Sequence, residues 1–202
     1  MNYGNKIREM SAGTIISIGI IAFILFSIVG SCIGIYNNMV NLQEDVILAQ
    51  ANVQTMMQRR LELIPDLVET TKAAAEHEEK IFEDIANARA ALNSSFESGD
   101  AQAIDEANQQ LTTAIDAVMT VIHESYPNIS ASEQYTALMD QLEGSVNRIS
   151  IERGNYNTAV NNYNRVIRNF PGSILAGVFG FERIEPFKAD AEANNTNMVD
   201  FG

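Results

Sequence analysis

Between Glu9 and Glu44 no side chain is charged, and within that interval residues 15–35 read IISIGIIAFILFSIVGSCIGI. An α-helix of this length rises about 30 Å, the thickness of a bilayer's hydrocarbon core. The core helix of a soluble domain keeps a polar face, which this run lacks, so it predicts a transmembrane helix. A cleaved signal peptide, with Lys6 and Arg8 as its basic start, would have a shorter apolar stretch of about 7–15 residues. Val29-Gly30-Ser31-Cys32 also has the form of a lipobox, which would make Cys32 a lipidation site and remove everything before it. Against that reading, the apolar run continues through Ile33 and Ile35, where a mature lipoprotein turns polar. With a spanning helix or a lipid anchor, the remaining chain is attached to a membrane.

The basic residues near the run set an expected orientation. Lys6 and Arg8 precede it, and the next basic residue after Tyr36 is Arg59, beyond the window of about 15–20 residues in which the positive-inside rule acts. The reading is a single-pass protein with a cytoplasmic N-terminus and its domain outside. Ser27 with Ser31 and Gly30 with Gly34 form small-xxx-small pairs that allow close helix approach and so admit a homo-oligomer, although such pairs also occur by chance in Gly-rich membrane helices.

Beyond the run the apolar spacing is helical throughout. Met39, Leu42, Val46, Ala49, Val53, Met56, Arg60 and Leu63 alternate at three and four residues, in phase with Ile28, Cys32 and Ile35, so the membrane helix is expected to continue into the domain. Pro65 interrupts and starts a second stripe: Leu67, Thr71, Ala74, Glu78, Ile81, Ile85, Ala88, Leu92. After Ser98-Gly99, Asp100 caps a third helix carrying Ile104, Asn108, Leu111, Ile115, Val118 and Ile122. Ser130 with Glu133 reads as a capping box for a fourth, in which Tyr135, Leu142, Ile149, Tyr156, Tyr163 and Phe170 recur every seventh residue before Pro171.

Short connections between such helices favour an antiparallel up-and-down arrangement. The expected fold class is all-α: a transmembrane helix continuous with a four-helix bundle. The expected boundaries are a tail over 1–14, the span over 15–36, a bundle over 37–186 with helices at about 37–63, 65–97, 101–123 and 131–170, and an acidic to polar tail over 187–202. In this topology Arg59–Val68 and the Tyr126-Pro127 loop share the far tip, and the aromatic segment 174–181 returns to the bilayer.

The charge pattern narrows the partners. Of 13 basic residues Lys6 and Arg8 precede the apolar run, whereas of 26 acidic residues only Glu9 does. The domain is therefore acidic, which disfavours nucleic acid and anionic headgroups as its partners. A lone cysteine excludes an intramolecular disulfide.

No constellation of catalytic, cofactor-binding or metal-ligating residues is recognisable. His77 is preceded at the Glu-x-x-His spacing by Ala74 and His123 by Thr120, so the di-iron bundle pattern is missing. Glu76, His77, Glu78 and Glu79 point in different directions on a helix and read as a solvated face. No nucleophile elbow or phosphate loop occurs. The expectation is a non-enzymatic protein without cofactors.

Two surfaces admit two readings each. Arg59 and Arg60 complement the end of the first helix and pair with Glu62, Asp66 or Glu69, or, with Pro65 and Asp66, they form a tip that receives a carboxylate-bearing envelope protein. Phe179 and Phe181, with Phe170, cap the end of the bundle or touch lipid.

The run Arg59–Leu92, RRLELIPDLVETTKAAAEHEEKIFEDIANARAAL, closely resembles the LemA family of bacterial membrane-attached helical proteins. Tyr36-Asn37, Tyr156-Asn157-x-Ala159-Val160, Tyr163-Asn164, Ile167-Arg168-x-Phe170-Pro171, Phe179-Gly180-Phe181 and Val199-Asp200-Phe201 look like further blocks of that family in the same order. Ala73-Ala74 and Met57 depart from it, where many relatives have Gly-Tyr and an aromatic. The resemblance implies an N-terminal anchor, a four-helix domain and a role in organising bacterial membranes or in envelope homeostasis. It brings no catalytic or metal-binding residue with it.

Overall fold

A computed structural model describes residues 12–75 and 78–188, and among them all regular structure is helical. The elements are α1 (Ala12–Glu62), α2 (Ile64–Thr70), α3 (Lys72–Ala75), α4 (Glu79–Ser98), α5 (Ala101–Ser125), α6 (Pro127–Ser130), α7 (Glu133–Arg168) and α8 (Gly172–Phe179). Over the described residues they fall into two compact units, one of 12–44 with 163–183 and the other of 45–75 and 78–162 with 184–188. The helix leaving the apolar run thus continues unbroken to Glu62.

In the larger unit the expected apolar stripes meet. Ile104, Leu111, Ile115, Val118 and Ile122 of α5 are buried, as are Ile85, Ala88 and Leu92 of α4 and Tyr135, Leu142, Ile149 and Tyr156 of α7. Each large aliphatic side chain so buried contributes about 1.5–3 kcal/mol. Gln50 donates to the Gly99 carbonyl, while Leu61 and Glu62 lie against Ala86–Asn93, so α1 and α4 are antiparallel. Met56, Arg59 and Leu63 share a groove with Gln141, Ser145 and Arg148 of α7. Arg153 pairs with Asp105 and Ile149 lies opposite Thr112 and Thr113, which makes α5 and α7 antiparallel too. The result is the up-and-down bundle.

Local signals explain the turns. Gly99 ends α4 at φ 66°, a conformation that disfavours any side chain. Asp100 accepts a hydrogen bond from the Gln102 N–H at 2.9 Å and caps α5 as expected. The cap of α7 is Ser132 rather than Ser130: the Tyr135 N–H donates to the Ser132 hydroxyl, whereas Ser130 ends α6 and donates to the Pro127 carbonyl. Tyr126-Pro127 starts its own helical turn, which shifts the last capping residue forward.

Three further expectations change. The α1 stripe drifts from a strict heptad, so that Met57 and Ile64 are fully buried and Met56 and Leu63 only partly so. A helix of 3.6 residues per turn walks off a 3.5-residue repeat by about 20° per heptad. The second helix is not continuous over 65–97. Pro65 interrupts for the single residue Leu63, because it sits at the second position of α2, where its missing N–H leaves nothing unpaired. A second one-residue break follows at buried Thr71, whose hydroxyl and N–H both donate to the Leu67 carbonyl, at 2.6 and 3.1 Å. Finally, α7 ends at Arg168 and leaves Phe170 82% exposed, outside the heptad that Tyr163 closes.

In the smaller unit α8 folds back after a turn containing the cis Phe170–Pro171 bond. Gly172 permits this approach, because a Cβ there would lie 2.2 Å from the Val166 carbonyl oxygen and 3.0 Å from Met39 Cε. Gly172→Ala is expected to lower stability by about 1–3 kcal/mol through overpacking. Gly177→Ala, with nothing within 4 Å, should change it by less than about 1 kcal/mol. Denaturant unfolding of the two variants in detergent, followed by circular dichroism, compares them directly; equal losses would contradict the packing account. By the same measurement Asp100→Ala should cost about 1 kcal/mol through the lost cap.

Candidate functional site

The first surface is apolar. Along α1 from Ile15 to Ile33 the large side chains are at least half exposed, reaching 72% at Phe23 and 79% at Phe26. No residue of the most apolar window of this helix is buried, and the helix is long and apolar enough to cross a membrane. At about 25 cal/mol per Å² such a surface is costly in water and neutral in lipid. Tyr36 follows directly, its ring 4.8 Å from that of Phe179 and 5.7 Å from that of Phe181. Two blocks of the family resemblance, distant in sequence, thus meet where the apolar run ends, as interfacial aromatics do. The same packing leaves Ile174, Val178 and Phe179 of α8 more than half exposed beside them.

Ser27, Gly30, Ser31 and Gly34 are exposed on α1, and a Cβ at either glycine would meet nothing within 4 Å. The Ser27 hydroxyl is already satisfied by the Phe23 carbonyl. Cys32 is partly exposed and carries a free thiol.

Arg59, Arg60, Pro65 and Asp66 do not form one surface. Arg59, Pro65 and Asp66 are exposed, Arg59 beside Gln141 and Arg148 of α7 and Asp66 beside Asn128 and Ser132. Arg60 turns inward and is 2% exposed. Its Nη1 donates to Asn108 Oδ1 at 3.2 Å and Thr112 Oγ1 at 2.9 Å, and the expected pairing with Glu62, Asp66 or Glu69 does not form. Burial lowers its pKa from the usual arginine value, opposed by Asp116. Glu76 and His77 lie outside the described residues.

The sequence reading missed the strap formed by residues 184–188, which runs back along α7. The Asn157 amide donates to the Phe187 carbonyl at 3.1 Å and accepts from the Phe187 N–H at 2.8 Å, pairing both backbone groups of one residue. The Tyr156 ring packs 4.8 Å from Phe187, and its hydroxyl donates to the Glu185 carbonyl. Arg153 bonds Asp105 at 3.1 Å and the Lys188 carbonyl at 2.8 Å while lying over the Phe187 ring. Burial, with Asp100 second, raises the Tyr156 pKa and keeps this donor protonated. In the smaller unit Tyr163 likewise donates to the Glu182 carbonyl at 2.9 Å, and burial raises its pKa. The signal lay in Tyr156-Asn157 and Tyr163, whose polar ends need partners when their rings are buried.

Residues 49–201 match the family model described as the LemA family. The chain belongs to the LemA family. It is 28% identical over 190 residues to magnetosome proteins MamQ 1 and MamQ 2 of Paramagnetospirillum magneticum, covering 81% of this chain and 68% of each relative. It is 26% identical over 221 residues to magnetosome protein MamQ of Magnetospirillum gryphiswaldense, covering 95% of this chain and 79% of the relative. The matched region holds the bundle and the strap. With the apolar helix preceding it, the chain is a membrane-associated helical member of the family.

Asn157→Leu keeps a similar volume and removes both bonds to Phe187. The Phe187 amide is expected to exchange with deuterium at least ten-fold faster, about 1.4 kcal/mol of lost protection, while amides of α5 change little; undiminished protection at Phe187 would show that Tyr156 and Arg153 hold the strap unaided.

Proposed function

We propose that this protein is a single-pass, membrane-anchored scaffold or adaptor of the bacterial cell envelope, with its N-terminus cytoplasmic and its bundle outside, where it binds other proteins. The observation that carries this reading is the change of pattern along α1: apolar all round, with its large side chains at least half exposed as far as Ile33, then buried on one side from Met39 in an acidic helical domain. Lys6 and Arg8 support the orientation. Relatives named as magnetosome proteins support a role at a specialised bacterial structure. Among the described residues no group of His, Cys, Asp and Glu could hold a metal ion, and binding through the bundle's exposed flank fits its composition.

Arg59, Pro65 and Asp66 are the residues assigned to partner contact, with Arg60 now acting from inside. Cross-linking in cells followed by purification in mild detergent should recover a defined protein partner with the full-length chain. Recovery should fall at least five-fold for Arg59→Glu combined with Asp66→Lys, with circular dichroism unchanged. Capture at full yield by the folded double variant would remove this surface from consideration.

A second reading, self-assembly that organises the membrane, is favoured by the open faces at Gly30 and Gly34. Here Gly30→Leu with Gly34→Leu should convert an oligomer in detergent to a monomer, as measured by light scattering, and a wild-type monomer would exclude it.

A further inference from the structure

Arg60 is a cation built into a hydrophobic stripe. It follows buried Val53 and Met57 along α1 and is itself 2% exposed. Both of its acceptors, Asn108 and Thr112, are neutral, and its Nε is buried without a hydrogen-bond partner. Among the described residues no carboxylate lies within 4.0 Å of it. A guanidinium does not shed its proton under ordinary conditions, so the charge stays. Burying it with no carboxylate in direct contact, and only Asp116 acting from farther off, is unfavourable.

Arg60 also borders a cavity of about 380 Å³ between α1, α5 and α7, the size of a small-molecule site. Gln109, Thr113 and Ser150 supply hydrogen-bonding groups on its wall, and Val146 and Ile149 an apolar patch. Asp116 lies on the same wall, where it weakens the attraction for a dianion. The apolar patch favours an anion with a hydrocarbon part over a bare inorganic one.

We propose that this cavity binds a small organic monocarboxylate, its carboxylate toward the Arg60 guanidinium and its hydrocarbon part against Val146 and Ile149. Binding supplies the direct ionic contact that Asp116, acting on Arg60 only through space, does not make. The inference is independent of the partner reading above.

The test is thermal unfolding of the full-length chain in detergent at neutral pH, in sodium acetate, chloride or sulfate at matched ionic strength. Acetate should raise the melting temperature saturably, by about 2–4 °C at roughly five times its dissociation constant, with no comparable rise in the other salts. Asn108→Asp places a carboxylate of nearly equal size at Arg60. That variant should melt higher than wild type without ligand and lose the acetate response. Val146→Phe, at a partly exposed position, should fill the cavity and abolish the response while leaving Arg60 intact. Superimposed acetate and chloride curves for wild type would overturn the proposal, as would an acetate rise undiminished in both variants. A sulfate rise as large as that in acetate would overturn the monocarboxylate assignment.

Discussion

The structure depends on one helix meeting two solvents. Up to Ile35, α1 presents apolar side chains in every direction, which is stable only where no side of the helix must face water. From Met39 onward the same helix buries one side, and the positions between carry Asn, Gln, Glu and Asp. The backbone hydrogen bonding is indifferent to this change, since an α-helix satisfies its own N–H and C=O groups in either medium. The helix can therefore continue without interruption from a stretch apolar enough to cross a membrane into one that packs against protein and faces water.

In the larger unit α5 is the element on which polar contacts converge. Its apolar stripe packs in the core, while Asp105, Asn108 and Thr112 hold arginines from α7 and α1. The two arginines are treated differently. Arg153 meets a carboxylate and then organises the strap through the Lys188 carbonyl and the Phe187 ring. Arg60 meets two neutral groups and a cavity. Polar contacts of this kind fix helix register more narrowly than apolar packing, because a displaced donor loses its acceptor altogether.

Much of the fold was legible in order along the chain. Asp100 capped its helix, the α5 stripe from Ile104 to Ile122 was buried throughout, and the heptad of α7 held as far as Tyr163. These features depend on neighbours within a few residues. The errors arose where one local signal competed with another. Pro65 was a strong break signal, yet proline at the second helical position removes a donor that has no acceptor to lose; at Thr71, a weaker signal, the hydroxyl joined the N–H on the Leu67 carbonyl and a second break of the same length followed. Ser130 and Ser132 both offered a hydroxyl, and the extra turn begun by Pro127 selected the second. Arg60 lay in the apolar stripe and was nevertheless read with Arg59 as a surface pair.

By itself the sequence determined the all-helical class, the membrane segment, the faces that are buried and the family, because charge and hydrophobic period are properties of short stretches. Only the tertiary structure decided that Arg60 faces inward onto Asn108 and Thr112, that Tyr36 meets Phe179 and Phe181, and that Asn157 captures both backbone groups of Phe187. The physical reason is range: a stripe shows that a side will be covered, but a hydrogen bond to a residue some 30 or 48 positions away exists only once the helices have paired in register.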